Sequence, residues 1–427
     1  MNDIDFATSV QSARAELGSG SNSFVFVTKN NSSAVSNGSL AGLPIAVKDV
    51  IDCVDMPTAY GAYNFIHYPD TSATVVQRLV DAGAVVVGKT NTHQFAFGTT
   101  GDVSSAGPVT HPEDRSRMAG GSSSGSGTAV ARGIVPVALG TDTAGSVRIP
   151  AAMVGCVGFK PTWNRLPLDG VMPLSPTLDV VGVLASSVEQ LKKTWPVLSA
   201  NESRVQTSTG ELPIRFANLA DHPQVRLSSR IREQWRITCK SLSDQGVELS
   251  DCREGIDLEK LRSLYLTIIG YESIQIHDPL LSSRPDIYDP QIRERIENLR
   301  GVTDEQYEAA LDARNRERES VEQAFEAYDA IILPTVGIET PAIGQRDIQD
   351  DSGVSNAWGG LAELTNPWNV LGFPAISVPI PVTRGLPLGL QIVGKLNEDE
   401  KVIALAETVT KILGVSLSAQ KATTISE

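Results

Sequence analysis

Residues 119–146 read AGGSSSGSGTAVARGIVPVALGTDTAGS. Nine consecutive positions, 119–127, hold only Ala, Gly and Ser, and a second small-residue patch, TDTAGS, follows at 141–146. A flexible linker is the simplest account of a Gly/Ser run, but the residues around it argue otherwise. TAVARGI (128–134) has the pattern of a short helix and PVALGTD (136–142) that of a strand, while SVRIPAAMVG opens the next helix. Two small-residue patches set inside apolar, packed structure call for a chemical reason.

The same alternation extends outward. LPIAVKDV (43–50) reads as a strand ending in a polar turn, ATVVQRLVDAGA (73–84) as a helix with Val75, Leu79 and Val80 on one side, and VVVGK (85–89) as a strand. Nearer the C-terminus, YDAIILPT, AISVPIPV and LPLGLQIVG read as strands and DEKVIALAETVTKILG as the closing helix. Helix alternating with strand predicts an α/β fold around a central mixed sheet flanked by helices. The middle, about 200–327, is richer in charge and helical in period. Within it Thr303 and Gln306 form a capping box ahead of a stripe of Tyr307, Leu311, Val321, Phe325 and Tyr328. Arg314 and Arg318 lie on that stripe, where their stems can snorkel along apolar surface. With no Pro-rich or low-complexity linker, the expectation is one domain over 1–427 with a helical excursion at about 200–327.

Composition narrows the function. The chain has 427 residues, 41% of them hydrophobic, and a formal charge of −14. Such a surface repels phosphate backbones, so nucleic-acid partners are not expected. Cys53, Cys156, Cys239 and Cys252 are scattered with no CxxC, which suits reduced thiols rather than disulfides or zinc. The acidic N-terminus, MNDIDFATSV, and the absence of a long apolar run predict a cytoplasmic chain with no membrane segment.

GAVVVGKT (83–90) matches the phosphate-loop pattern letter for letter, but Ala-Val-Val-Val is strand material, and the reading favoured is a strand ending at Lys89. The histidines, His67, His93, His111, His222 and His277, lie beside no G-x-S-x-G elbow, and no metal-ligand spacing is present. GTDTAGS joins a strand to a helix. A serine there, Ser146, can attack a carbonyl while neighbouring N–H groups hold the oxyanion. An ordinary N-cap serine is the competing account of this patch alone. Lys48 follows the apolar LPIAV, and a desolvated lysine has a lowered pKa and can act as a base. Lysine, Ser/Gly run and serine together supply base, relay and nucleophile.

These segments resemble the amidase signature family. GLPIAVKDVID (42–52) is similar to its catalytic-lysine strand, GGSSSGSG (120–127) to its Ser/Gly loop, and GTDTAGSVRIPAAMVGCVGFKPT (140–162) to its nucleophile segment. GKTNTHQFAFGTTG and LTNPWNVLGFPAISVPI also look like family segments. The resemblance implies a nucleophile at Ser146, a base at Lys48, a relay serine at Ser122 and a cis Gly121–Ser122 peptide. It implies oxyanion donors on the N–H groups of Thr143, Ala144, Gly145 and Ser146, with Ser123, Asp142 and Arg148 in support, and no metal or cofactor. Ala144 and Ser124 stand where the family pattern has glycine, and allophanate hydrolases are among the members that share this spelling.

Three functions follow. The first is hydrolysis of a small-molecule linear amide, carbamate or urea-like compound. The second is the glutaminase component of a tRNA-dependent amidotransferase, and the third an anion-binding module. A homodimer is open to such a chain. Because a charge of −14 does not help an anion approach, a neutral or weakly polar substrate is expected.

Overall fold

The computed structural model describes residues 5–29, 38–201, 213–252, 255–350 and 353–415. The two ends of the 1–427 expectation, and part of its middle region, therefore lie outside the described residues. In chain order the strands are β1 (Phe24–Val27), β2 (Pro44–Lys48), β3 (Val85–Thr90), β4 (Val137–Asp142), β5 (Val157–Lys160) and β6 (Val180–Ala185). They continue with β7 (Arg215–Asn218), β8 (Glu248–Asp251), β9 (Ala330–Pro334), β10 (Asp347–Asp350), β11 (Gly353–Asn356), β12 (Ala375–Ile380) and β13 (Leu388–Val393). Eleven of them form one mixed sheet in the order β1-β3-β2-β4-β6-β5-β12-β13-β9-β7-β8, and β10 and β11 make a separate hairpin.

The central strands are apolar on both sides because helices cover both. Along β2, Ile45 and Val47 enter the larger core cluster and Ala46 the smaller; along β4, Val137 and Leu139 enter the larger and Ala138 the smaller. The smaller cluster also holds Ala129 and Val130 of the helix Ser124–Ala131, and Ala151 and Val154 of the helix Arg148–Val154. Lys48 has the parity of Ala46, so it leaves β2 on the face that these two helices cover.

Three expectations are corrected in detail. The helix read at 128–134 begins at Ser124, so the last four residues of the Ser/Gly run, Ser124–Gly127, are the helix's first turn rather than a loop. The reason for its small residues is close approach: a methyl group on Gly125 would collide with the Ser23 carbonyl oxygen and stand 2.5 Å from the Asn91 nitrogen. The middle region is not helix alone, since it supplies β7 and β8 to the main sheet. Strand β8 is the exposed edge and reads Glu-Leu-Ser-Asp; charge on an edge strand blocks further pairing and hides the strand from a hydrophobicity reading. The helix Arg148–Val154 starts two residues after Ser146, with Val147 as N-cap, so the competing account of Ser146 as an N-cap does not hold.

The phosphate-loop look-alike is strand β3, as its valines require. A side chain at Gly88 would strike the Phe26 carbonyl oxygen on β1. Lys89 Nζ lies 3.2 Å from Asp49 Oδ1 and donates to Thr58 Oγ1 at 2.7 Å. The capping box at Thr303 and Gln306 opens the helix Asp304–Ala324, and Arg318 on its stripe donates Nε–H to the Leu371 carbonyl. Cys53, Cys156 and Cys239 are free thiols. Among the described residues, no helix is long and apolar enough to cross a membrane.

Gly125→Ala is expected to lower stability by about 1–3 kcal/mol, the usual cost of overpacking. Chemical denaturation of the purified variant checks this; an unchanged midpoint would show that the helix can move off Ser23 and Asn91.

Candidate active site

Lys48 ends β2 fully buried. Its Nζ donates to Ser122 Oγ at 2.7 Å and to Thr141 Oγ1 at 2.8 Å. Burial pushes the amine down from its ordinary value to about 7, against the opposing pull of the Asp142 and Asp179 carboxylates. Ser122 follows a cis Gly121–Ser122 peptide. Its carbonyl accepts the His93 N–H at 3.1 Å and the Thr92 hydroxyl at 3.2 Å, and the Gly121 N–H donates to the Thr99 carbonyl at 2.7 Å. The GKTNTHQFAFGTTG segment therefore braces the Ser/Gly run from outside.

Ser146 is 3% exposed. It is held against the run through the main chain, where the Ser123 N–H donates to the Ser146 carbonyl at 3.2 Å. The Ser123 hydroxyl donates to the Thr141 carbonyl at 3.2 Å, which fastens the run to the end of β4. Lys48 and Ser122 are thus in direct contact, and Ser146 is next to Ser123. Among the described residues, no side-chain hydrogen bond joins Ser122 to Ser146.

The turn after β4 is organised by Asp142. Its carboxylate takes the Gly145 N–H at 2.8 Å on Oδ1 and the Val147 N–H at 3.1 Å on Oδ2. Arg148 meets it side-on, with Nη2 2.9 Å from Oδ1 and Nε 3.1 Å from Oδ2. Neither side chain is exposed. The guanidinium is completed by Asn369 Oδ1 at 2.6 Å, Gln391 Oε1 at 2.6 Å and the Thr365 carbonyl at 3.0 Å. Burial works against ionisation of Asp142, but the Arg148 charge and hydrogen bonds outweigh it, holding the carboxyl well below the usual carboxylate range.

This arrangement corrects the expected set of four donors. The Gly145 N–H is spent on Asp142, so Thr143, Ala144 and Ser146 are the members of the set whose N–H groups have no hydrogen-bond partner among the described residues. Gly145 carries the turn's positive φ of 125°, and a side chain there would collide with the Thr365 hydroxyl. Ala144 has no positive φ, so its methyl group causes no strain. Its carbonyl accepts the Thr365 hydroxyl at 2.6 Å. Thr143 is fixed by Asp179, whose Oδ1 accepts its hydroxyl at 2.6 Å. Burial pushes Asp179 up to about 6.

Sequence reasoning missed Thr141, Asp179, Thr365, Asn369 and Gln391. Two carried a signal: Asn369 and Gln391 are amide side chains inside the apolar runs NPWNVLG and LGLQIVG. Buried amides in such runs need polar partners. His93, though close, is buried and held down to about 3, so its ring is neutral. Among the described residues, no group of three or more His, Cys, Asp or Glu side chains could hold a metal ion.

The profile of the amidase family matches residues 27–403. The A subunit of the glutamyl-tRNA(Gln) amidotransferase of Symbiobacterium thermophilum is 32% identical over 412 residues, covering 88% of this chain and 83% of that protein. Mandelamide hydrolase of Pseudomonas putida is 33% identical over 417 residues, covering 88% and 79%. A crystal structure of an amidase superimposes with a TM-score of 0.88 at 31% identity, covering 96% of this chain and 97% of that one. The chain belongs to the amidase signature family.

Asp142→Asn is expected to destabilise the fold by roughly 3–5 kcal/mol, because it leaves Arg148 buried without its counter-charge. Since the folded-state pKa of Asp142 is depressed, the contribution of its charge is complete above the ordinary value of 3.8 and is lost as pH falls below it. Denaturation of wild type and variant at neutral pH and at low pH should show the gap narrowing on acidification. A gap independent of pH would refute the electrostatic account.

Proposed function

We propose that this chain hydrolyses the amide bond of a small molecule through an acyl–Ser146 intermediate, with Lys48 as base and Ser122 as relay. The observation that carries the reading is the buried Lys48, with its amine near pKa 7 and 2.7 Å from Ser122 Oγ. A lysine with an ordinary pKa would be charged at neutral pH and could take no proton. Here burial favours the neutral amine, which can accept the Ser122 proton while Ser122 accepts that of Ser146. The second link forms when Ser146 Oγ turns, among its staggered rotamers, toward Ser122. Attack on the carbonyl then places negative charge on the substrate oxygen, where the N–H groups of Thr143, Ala144 and Ser146 are the candidate donors. The proton returns from Lys48 through Ser122 to the leaving nitrogen, amine or ammonia departs, and water cleaves the acyl ester by the same relay.

Relatives of two kinds, a hydrolase and an amidotransferase component, match the chain about equally well, so glutamine belongs among the amides assayed. A fluorophosphonate should label Ser146, and hydroxylamine should divert the acyl group to a hydroxamate. Labelling that persists in Ser146→Ala would remove Ser146 from the role. kcat/KM should rise with pH and level off around an apparent pKa of about 7, because the protonated amine is inactive. Lys48→Met should lower it by about 10²–10⁴-fold, far more than replacement of the exposed His67. A profile still rising at pH 9 would contradict a buried neutral lysine.

A further inference from the structure

Arg314 and Arg318 stand one turn apart on the helix Asp304–Ala324, on the stripe where stems were expected to snorkel toward solvent. Arg318 does lie at the margin, half-buried, with its Nε–H donated to the Leu371 carbonyl at 2.8 Å. Arg314 does not. Only 9% of it is exposed, and its Nε is buried without a hydrogen-bond partner. Among the described residues, no carboxylate forms an ion pair with either guanidinium, and no acceptor takes an N–H of Arg314. Other partly or fully buried arginines do have acids: Arg346 meets Asp102 at 2.8 Å, Arg148 meets Asp142 at 2.9 Å, and Arg262 meets Glu363 at 2.9 Å. With 50 acidic residues to 36 lysines and arginines, a shortage of carboxylates is not the reason. Like charges at i and i+4 repel, and an arginine in a protein cannot escape by losing its proton.

The surroundings make this a site rather than a defect. Two turns before Arg314 on the same face is Tyr307, whose hydroxyl donates to Glu272 Oε1 at 2.6 Å. The other oxygen, Oε2, takes the Ser175 hydroxyl at 2.5 Å and the Thr177 N–H at 3.2 Å. Glu272 is the nearest acid whose charge reaches Arg314, but both of its oxygens are already engaged. On the other flank, Trp163 Nε1 donates to the Pro176 carbonyl at 3.2 Å. A methyl group on Gly372 would stand 3.2 Å from Trp163 Cβ and 3.5 Å from Arg318 Nη2. Tyr307, Thr177, Pro176, Trp163, Gly372 and Arg318 therefore make a circuit that returns to the helix on either side of Arg314. Thr177 Oγ1, beside the Tyr307 hydroxyl, is buried without a hydrogen-bond partner as well. The unfilled groups in this circuit can all donate, and the one carboxylate in it is taken. Among the described residues, no hydrogen bond joins Lys48, Ser122 or Ser146 to any member of the circuit.

From this placement we infer that Arg314 and Arg318 bind a small oxyanion, a carboxylate or a phosphate, at a site apart from the relay. The oxyanion accepts N–H groups from the two guanidiniums and the Thr177 hydroxyl, and its charge relieves the repulsion between the arginines. The net charge of −14 acts at long range and is screened by salt within about 10 Å, whereas planar guanidiniums hold an oxyanion through short charge-assisted hydrogen bonds. The inference does not depend on the hydrolase reading.

The test is titration calorimetry of the purified chain with sodium phosphate and, separately, sodium acetate, in a Tris chloride buffer whose ionic strength is kept constant with sodium chloride. At least one of the two anions should bind with saturation, and the same anion should raise the thermal transition, because a ligand of the folded state alone stabilises it. Binding of phosphate alone, of acetate alone or of both tells which oxyanion the site takes. Arg314→Gln should weaken that binding by about 10-fold or more, the range of a lost charge-assisted pair. Arg314→Lys, which keeps the charge without the planar fork, should be intermediate. If Arg314→Gln does not fold by its thermal transition, Arg318→Gln takes its place, with the same loss expected. Arg295, whose guanidinium rests on the Trp358 and Phe97 rings instead, is the control: Arg295→Gln should retain the site. No saturable binding of either anion, or binding at wild-type affinity in a folded Arg314→Gln or Arg318→Gln variant, would overturn the assignment.

Discussion

Asp142 and Arg148 meet 2.9 Å apart with no solvent exposure, and most of the site's geometry hangs on that contact. An ion pair in such a place must recover a large desolvation cost, and it is favourable only when the remaining donors and acceptors are also filled. They are. The carboxylate closes the 143–147 turn through two backbone N–H groups, and the guanidinium reaches Thr365, Asn369 and Gln391, more than two hundred residues away in the chain. One contact thereby sets the shape of the turn bearing Ser146 and docks it on the C-terminal part of the sheet. Because Gly145 serves the carboxylate, the turn offers fewer free donors than its spelling suggests.

Lys48 shows the opposite use of burial. It has two hydroxyl partners, Ser122 and Thr141, and no carboxylate in hydrogen-bond contact. Desolvation therefore outweighs the pull of the more distant Asp142 and Asp179 charges, and the amine is pushed down to about 7. Nearby, Lys89 is just as buried but has Asp49 at 3.2 Å. The two neighbouring lysines differ in the partner each was given rather than in depth. Arg295 is a third case, a cation set against the faces of Trp358 and Phe97 with its Nε unfilled.

The small residues of 119–127 have a packing reason. Gly125 brings a helix against the main chain at Ser23 and Asn91, and the Ser123 hydroxyl is inserted beside β4. Side chains of ordinary size would hold Ser122 away from β2, and the Lys48–Ser122 contact could not form. Packing density and the Lys48–Ser122 hydrogen bond thus constrain the same stretch.

The sequence alone determined what depends on local pattern. Period-two and apolar runs gave β2, β3, β4 and the C-terminal strands, Thr303 and Gln306 marked a helix start, and valines identified GAVVVGKT as strand. The spelling of three segments also drew attention to Lys48, Ser122 and Ser146, of which folding brings Lys48 and Ser122 into hydrogen-bond contact. Tertiary structure decided what depends on charge and contact between distant segments. The edge strand β8 is charged because it is an edge, so no hydrophobic pattern announces it. Asn369, Gln391 and Asp179 matter only because folding sets them beside Arg148 and Thr143, and nothing in their own neighbourhoods records that pairing. Whether a buried lysine or arginine is neutralised depends on which carboxylates the fold brings within a few ångströms, and that separation is a property of the folded chain.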